Sequence, residues 1–242
     1  KAPIGARDPA RPAGRPKAEF INNMSHEVRT PLNALVECAH IITDNIDDKK
    51  RVYLQRYADM IDVSADMLRA IINDVLDIAS IENSTIEVQR RSASVNDICN
   101  VAVASMRKHA AEGVEMSYLN TSDPDINILT DSRRVEQVLC NLLNNGAKFT
   151  EEGYVHLSYR LNPATSTEAA TISFIVEDTG IGVPEGKEEI IFERFTKLSN
   201  LYPGTGLGLN ISRMIAEMLH GTVKVDTTYA GPGARFIFTI PA

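Results

Sequence analysis

Apolar residues recur at helical spacing over the first third of the chain. In residues 17–44 they step by three or four positions, and in residues 51–83 they follow a seven-residue repeat. The first set is Ile21, Met24, Val28, Leu32, Leu35, Ala39 and Ile42, and the second is Leu54, Tyr57, Ile61, Ser64, Leu68, Ile71, Val75 and Ile78. The polar segment 43–50 separates the two patterns. The spacing therefore predicts two long helices joined by a short connection, which is an antiparallel hairpin.

The second stripe is wider than the seam between two helices requires. Met60, Met67, Ile72 and Leu76 extend it to one side. Because one hairpin cannot bury stripes of this width, the pattern favours a homodimeric four-helix bundle. The alternative is a hairpin that packs against its own C-terminal domain.

One histidine lies off the apolar stripe of the first predicted helix. At roughly 100° per residue, His26 is about 200° from the apolar residues two positions to either side, so its side chain should face solvent. Glu27 follows it, Thr30 lies one turn later, and Pro31 removes a backbone donor, so a kink is expected there. An exposed histidine beside a carboxylate is suited to act as a nucleophile.

Beyond residue 84, short alternating segments are interleaved with helical ones. Strands are predicted over 85–91, 114–120, 126–131, 154–162 and 170–178, helices over 94–113, 132–149 and 209–221, and a hairpin over 222–240. Ser94 is the expected N-cap of the first of these helices, and Gly113 its end. This order predicts a largely antiparallel sheet with helices on one face. The two domains are accordingly expected at residues 18–84 and 85–242.

Composition and charge narrow the functional classes. The net charge of −7 argues against a nucleic-acid partner. The three cysteines are widely spaced and follow no metal-ligand pattern, which indicates free thiols in a reducing compartment. No apolar run approaches the ~18–20 residues that span a bilayer. We expect a cytoplasmic fragment without membrane contact, in which residues 1–17 are a disordered linker or an expression remnant. An inner-membrane anchor elsewhere in a full-length protein stays open.

The segment NLLNNGAKFT, residues 141–150, carries groups suited to a metal-bound phosphate. Asn141 and Asn145 are four residues apart and share a helical face. Carboxamide oxygens can ligate Mg²⁺, and Lys148 adds a point charge suited to phosphate. The alternative is an ordinary asparagine-rich helix end.

Two glycine-containing segments follow. In EDTGIGVP, residues 177–184, Asp178 ends a predicted strand, and a buried carboxylate there can accept a hydrogen bond from an exocyclic amine such as that of adenine. In GTGLGLN, residues 204–210, glycines precede a helix whose N-terminus favours an anion. An ordinary turn and a flexible helix entry are the respective alternatives. The chain has no GxxxxGK[ST], HRD or DFG pattern, which argues against a P-loop protein and a Ser/Thr/Tyr kinase.

Taken in order, five segments resemble the sequence boxes of sensor histidine kinases. MSHEVRTPLNAL, NLLNNGAKFT, EDTGIGVP, IFERF and GTGLGL are similar to the H, N, first glycine, F and second glycine boxes. The resemblance covers residues 18–242 and is closest to hybrid kinases, whose N box ends in KFT. It implies an α + α/β fold, with a two-helix hairpin (a dimeric four-helix bundle) followed by an α/β sandwich of the GHKL (Bergerat) type.

The resemblance implies a role for each matching position. His26 would accept the phosphoryl group, Glu27 its proton, and Thr30 would serve dephosphorylation of a response regulator. Asn145 matches the Mg²⁺ ligand, and Asn141 lies near the metal. The remaining matches are Lys148 for phosphate, Asp178 for adenine, and Gly180, Gly182, Gly204, Thr205, Gly206, Leu207 and Gly208 for the lid and phosphate loop, with Arg194 and Lys197 as phosphate neighbours.

The implied activity is ATP- and Mg²⁺-dependent autophosphorylation, followed by transfer to an aspartate of a separate receiver domain. Movement at residues 83–86 would bring the ATP domain to His26. Gly146 replaces the alanine usual in the family, which should weaken the helix end by up to about 1 kcal/mol. The alternatives are a GHKL ATPase of the chaperone or mismatch-repair type, a nucleotide-binding dimerisation module without autokinase activity, and a protein that acts mainly as a phosphatase.

Overall fold

The structure is a computed structural model that describes residues 15–44, 51–83, 87–119, 126–166, 169–198 and 204–242. These residues belong to two compact units, divided between Asn73 and Asp74. Residues 1–14 of the predicted leader, the connection 45–50 and the junction 84–86 lie outside the described residues, and so do the predictions made for them. Residues 15–17, which were predicted to belong to the disordered leader, are helical instead. No helix in the described part of the chain is long and apolar enough to cross a membrane.

The first unit is the predicted helical hairpin. Helix α1 spans Arg15–Asp44 and helix α2 spans Arg51–Glu82, whose last turns belong to the second unit. Helix α1 begins two residues before the predicted start, since a proline in the first turn needs no backbone donor. The helix continues through Pro31, which is buried.

Burial along α2 follows the predicted heptad, whereas Ile21, Leu32 and Ala39 of the predicted α1 stripe are exposed. Every member of the α2 repeat from Leu54 to Ile78 is buried or half-buried, and Ile71 is 1% exposed. Of the four residues that widen the stripe, Met67 is half-buried, whereas Met60, Ile72 and Leu76 are 48%, 50% and 59% exposed. The described residues therefore leave an apolar surface on α2 uncovered, which a four-helix bundle would require.

The second unit is the predicted α/β sandwich. Its strands are β1 Arg91–Ser94, β2 Val114–Tyr118, β3 Asn127–Thr130, β4 Gly153–Asn162, β5 Thr171–Asp178, β6 Thr222–Val225 and β7 Arg235–Pro241. Its α-helices are α3 Val95–Met106, α4 Ser132–Phe149 and α5 Gly208–Met218, with 3₁₀ turns at Arg107–His109 and Ile190–Phe192.

Five strands form the main sheet in the order β2-β4-β5-β7-β6, and β1 pairs with β3 in a separate two-stranded sheet. The β2–β4 pair is parallel and the other main-sheet pairs are antiparallel. Helix α4 packs against β4 and β5, and α5 against β6 and β7. The core between these layers includes Leu139 and Leu142 of α4 and the stacked rings of Phe174 and Phe238.

Two predicted elements differ from the structure. The strand predicted over 85–91 is wrong, because residues 87–90 form no strand and β1 begins at Arg91. The Gln89 backbone N–H donates to the Asp131 carboxylate at 3.0 Å, and strand pairing begins only at Arg91. The helix predicted over 94–113 ends at Met106 and gives way to a 3₁₀ turn, although Ser94 caps its start as expected, accepting from the Asp97 amide at 3.1 Å.

The helix that follows the second glycine segment also ends in an unexpected way. Helix α5 stops at Met218, and His220 adopts the left-handed conformation at φ 60°. Gly221 is needed for a different reason, since a Cβ there would lie 2.1 Å from the Thr239 carbonyl oxygen of β7.

Candidate active site

His26 lies on the exposed side of α1, as the helical pattern predicts. Its side chain is exposed, whereas the adjacent Glu27 is half-buried. The Thr30 hydroxyl is exposed and donates to the His26 backbone carbonyl one turn earlier, at 3.3 Å. The segment around His26 therefore presents an accessible imidazole with a carboxylate beside it in sequence.

Helix α4 positions the predicted asparagines and lysine. The Asp131 carboxylate caps its start, accepting from the Arg134 amide at 3.4 Å, and the helix buries its opposite face in the core. The Asn141 Nδ2 donates to the Gly208 carbonyl at 3.2 Å and to the Ser212 hydroxyl at 3.4 Å. These bonds fasten the N box to the second glycine box, and they orient the Asn141 carboxamide.

Asn145 and Lys148 follow on the same helix and are half-buried. Within the described part of the chain, no group hydrogen-bonds the Asn145 carboxamide. A Cβ on Gly204, which has φ +151°, would lie 2.8 Å from the Lys148 Nζ, so glycine allows the ammonium group to approach the backbone. Burial, with a further contribution from Lys197, lowers the pKa of Lys148, and a bound anion would oppose this effect.

Asp178 ends β5 and is 4% exposed. Its Oδ1 accepts hydrogen bonds from the Gly180 amide at 2.9 Å and the Ala234 amide at 3.1 Å. Burial raises the pKa of Asp178, and the two amides oppose the rise. Its other carboxylate oxygen accepts from no group in the described residues, which leaves an acceptor available to an exocyclic amine.

The first glycine box packs against two other segments. A Cβ on Gly180 would lie 2.3 Å from the Phe149 carbonyl oxygen, and one on Gly182 would lie 2.9 Å from the Gly233 carbonyl oxygen. These approaches hold Asp178 beside the end of α4. The Thr150 hydroxyl at the same corner is buried and has no partner among the described residues, and no sequence pattern singles it out.

The second glycine box turns at Gly206, whose φ is +70°. Leu207 is fully buried, and its amide donates to the Thr205 hydroxyl at 3.2 Å. Helix α5 begins at Gly208, in contact with Asn141 of α4. The structure thus brings the N box and both glycine boxes together within the second unit, while His26 belongs to the first.

The last turns of α2 contribute carboxylates that sequence reasoning missed. Asp74 accepts a hydrogen bond from the Thr205 hydroxyl at 2.9 Å, and Glu82 pairs with Arg194 at 2.6 Å. Burial raises the pKa of Asp74 to about 6, the Thr205 hydrogen bond opposes the rise, and the neighbouring Asp77 adds to it. In sequence these acids are only polar positions beside an apolar stripe.

Asp77 extends the same contacts to helix α4. Its carboxylate pairs with the Arg134 guanidinium at 3.1 Å and accepts from the side-chain Nε2 of Gln137 at 2.7 Å. The described residues contain no group of three or more His, Cys, Asp or Glu side chains that could hold a metal ion. A metal at this site would therefore depend on carboxamide oxygens together with its other ligands.

Two family models match the chain. Residues 16–84 match the His Kinase A (phospho-acceptor) domain, and residues 130–242 match the histidine kinase-, DNA gyrase B- and HSP90-like ATPase. The first match contains His26, and the second contains the N box and both glycine boxes.

Curated relatives match over almost the whole chain. It is 33% identical over 241 residues to the autoinducer 2 sensor kinase/phosphatase LuxQ of Vibrio vulnificus, which covers 98% of this chain and 28% of that protein. It is 33% identical over 246 residues to hybrid signal transduction histidine kinase A of Dictyostelium discoideum, with 97% and 11% covered. The chain therefore spans less than a third of these relatives.

Solved structures agree with the fold. Full-length ShkA in complex with AMPPNP superimposes with a TM-score of 0.67 at 31% identity, covering 92% of this chain and 45% of that chain. The histidine kinase ThkA in complex with the response regulator protein TrrA gives a TM-score of 0.67 at 22% identity, covering 95% and 64%, and supports the fold alone.

Proposed function

Because the chain belongs to the histidine kinase family and carries its catalytic core, we propose that it phosphorylates its own His26 from ATP in the presence of Mg²⁺. The observation that carries the proposal is the exposed imidazole on α1 in a chain whose second unit joins the N box to both glycine boxes. Residues 18–84 would form the dimerisation and phosphotransfer domain, and residues 85–242 the ATP-binding domain.

The residues present fit a magnesium nucleotide. The uncommitted Asn145 carboxamide can supply an oxygen to Mg²⁺, with Asn141 one turn earlier. The second carboxylate oxygen of Asp178 would accept from the adenine amine, and Lys148 beside Gly204 would contact phosphate. When bound, Mg²⁺ neutralises charge on the phosphate oxygens.

The protein's own part in the reaction is to present a neutral nucleophile and to receive its proton. An imidazole nitrogen of His26 forms a bond to the γ-phosphorus, and the bond from that phosphorus to the β–γ bridging oxygen breaks, releasing ADP. The proton on the other ring nitrogen passes to the Glu27 carboxylate. Lys148 and the glycine-box amides hold the phosphates in position, which is the larger part of catalysis in phosphoryl transfer.

We further propose that the hairpin forms a homodimer and that phosphohistidine donates to an aspartate of a response regulator receiver domain. The exposed apolar residues of α1 and α2 support the first proposal. ThkA, which shares the fold, was solved with a response regulator, and LuxQ is named a kinase and phosphatase. The exposed Thr30, one turn after His26, is the residue that we assign to dephosphorylation of the regulator.

The test is incubation with γ-labelled ATP and Mg²⁺, followed by acid and base treatment of the labelled protein. We expect a label that is lost in acid, survives base and is absent from His26→Gln. His40→Gln is the matched control, because His40 is exposed on the same helix, and it should label like the wild type. A wild type without label, or His26→Gln with undiminished label, would refute the autokinase proposal and favour a GHKL ATPase or a docking module.

A further inference from the structure

Asn210 joins the two ends of the segment between the F box and the second glycine box. Its Nδ2 donates to the Phe192 carbonyl at 3.0 Å, and its Oδ1 accepts from the Arg194 Nε at 3.3 Å. Phe192 and Arg194 precede the segment, whereas Asn210 lies in the first turn of α5 after it. No box assigns Asn210 a role.

The backbone at this joint turns sharply. Phe195 adopts the left-handed conformation at φ 59°, which is costly for a bulky residue. A Cβ on Gly206 would lie 2.8 Å from the Phe195 carbonyl carbon, so the F box is in direct contact with the second glycine box. The backbone therefore brings Arg194 beside the phosphate loop, but a long, flexible side chain still needs a partner to set its direction.

Arg194 has a partner at each of two nitrogens. Its Nε bonds Asn210, and its Nη2 pairs with the Glu82 carboxylate at 2.6 Å. The Asn210 carboxamide oxygen is uncharged, so it orients the Arg194 guanidinium without neutralising its charge. The Glu82 carboxylate is an anion, and a phosphate oxygen can accept from the same guanidinium nitrogen in similar geometry.

We propose that Asn210 is a positioning residue for autophosphorylation, which holds Arg194 so that its guanidinium meets the nucleotide phosphates in place of Glu82. The inference rests on the proposed function, since it takes Arg194 as a phosphate contact. Asn210 acts through Arg194 and does not itself touch the nucleotide.

Arg213 provides a matched control. Its guanidinium lies 4.1 Å from the centre of the Phe192 ring and pairs with Glu189 at 2.9 Å. It therefore fastens the same segment to α5 but forms no bond to Arg194. Loosening of the segment in general should affect Arg213 variants and Asn210 variants alike, whereas misdirection of Arg194 should appear in Asn210 variants alone.

The test is a double-mutant cycle in the whole chain, with kcat and KM for ATP measured from His26 labelling. We expect Asn210→Ala to lower kcat by about tenfold or more, with KM changed much less. In the Arg194→Ala background the same substitution should change kcat by less than about twofold, because the interaction is already lost. Arg213→Gln should stay within about twofold of the wild type, as expected for an ion pair whose carboxylate partner is 84% exposed.

Three results would overturn the proposal: equal loss from Asn210→Ala in both backgrounds, a similar loss from Arg213→Gln, or wild-type labelling by Arg194→Ala. The last result would leave the autokinase intact, whereas an unlabelled wild type would refute the proposed function itself. If Asn210→Ala does not fold, as judged by thermal unfolding, Asn210→Ser carries the same cycle with the same criteria.

Discussion

The effect of Gly146→Ala should reverse its sign according to the residue at position 155. Gly146 lies within α4, where alanine is favoured over glycine by about 1 kcal/mol. A Cβ at this position would, however, lie 2.7 Å from Cγ1 and 3.2 Å from Cγ2 of Val155. The helix preference and the packing at this position therefore oppose each other.

The structure indicates that packing is the larger of these two effects. Val155 is fully buried in β4, and its β-branched side chain has little freedom to rotate. Overpacking of this kind costs about 1–3 kcal/mol, which exceeds the helix gain of about 1 kcal/mol. The net loss should be about 1 kcal/mol, or about 2–4 °C in Tm for a unit of this size. In a Val155→Ala background the contact is removed, and Gly146→Ala should raise Tm by about 2–4 °C.

The assay is thermal unfolding of the four chains: wild type, each single variant and the double variant. The transition of the second unit is identified by its shift to higher temperature with ADP, since a ligand that binds the folded state stabilises it. A higher Tm for Gly146→Ala with Val155 present would refute the reasoning, as would the same decrease in both backgrounds.

Three further predictions concern stability, regulation and assembly. The pKa of Asp74 is raised from an ordinary 3.8 to about 6, so between these values the folded chain binds a proton that the unfolded chain does not. Stability therefore falls as pH rises through this range. Asp74→Asn should remove that part of the pH dependence and raise Tm at neutral pH, and an unchanged Tm–pH profile would contradict this. Thr30→Ala should retain His26 labelling but slow dephosphorylation of a phosphorylated receiver domain, measured as loss of its label, and an unaltered rate would remove Thr30 from that role. Ile72 is 50% and Leu76 59% exposed on one face of α2, so Ile72→Glu with Leu76→Glu should convert a dimer to a monomer in light scattering, whereas a persistent dimer would place the interface elsewhere.

The fold was predictable where a local pattern had one structural solution. The heptad of α2 and the amphipathic pattern of α4 identify long helices, because burial of one face repeats every three or four residues. The helix predicted over 132–149 matches α4 at both ends. The strand predicted over 85–91 was wrong because local alternation does not reveal that Asp131, about forty residues away, accepts the Gln89 amide.

The extent of the last turns of α2 could not be read from its periodicity. The repeat continues without a break to Ile78, yet the residues from Asp74 onwards belong to the second compact unit. Asp77 contacts Arg134 and Gln137, which are 57 and 60 residues away in the chain. Helical spacing reports which face of a helix is apolar, but it does not report which partner each face meets.

Some site residues can be recognised from the sequence and others cannot, and the difference has a physical reason. Glycines at Gly180 and Gly206 are recognisable as motifs because a Cβ would collide with backbone atoms, so no other residue type fits without displacing the chain. Asn210 cannot be recognised in this way, because an asparagine in the first turn of a helix is common. Its proposed positioning role depends on Arg194, sixteen residues earlier. Motifs therefore identify the positions where backbone geometry excludes alternatives, whereas side chains that position other side chains become apparent only once their partners are known. The double-mutant cycle at Asn210 and Arg194 measures that dependence directly, because it asks whether one side chain matters when the other is absent.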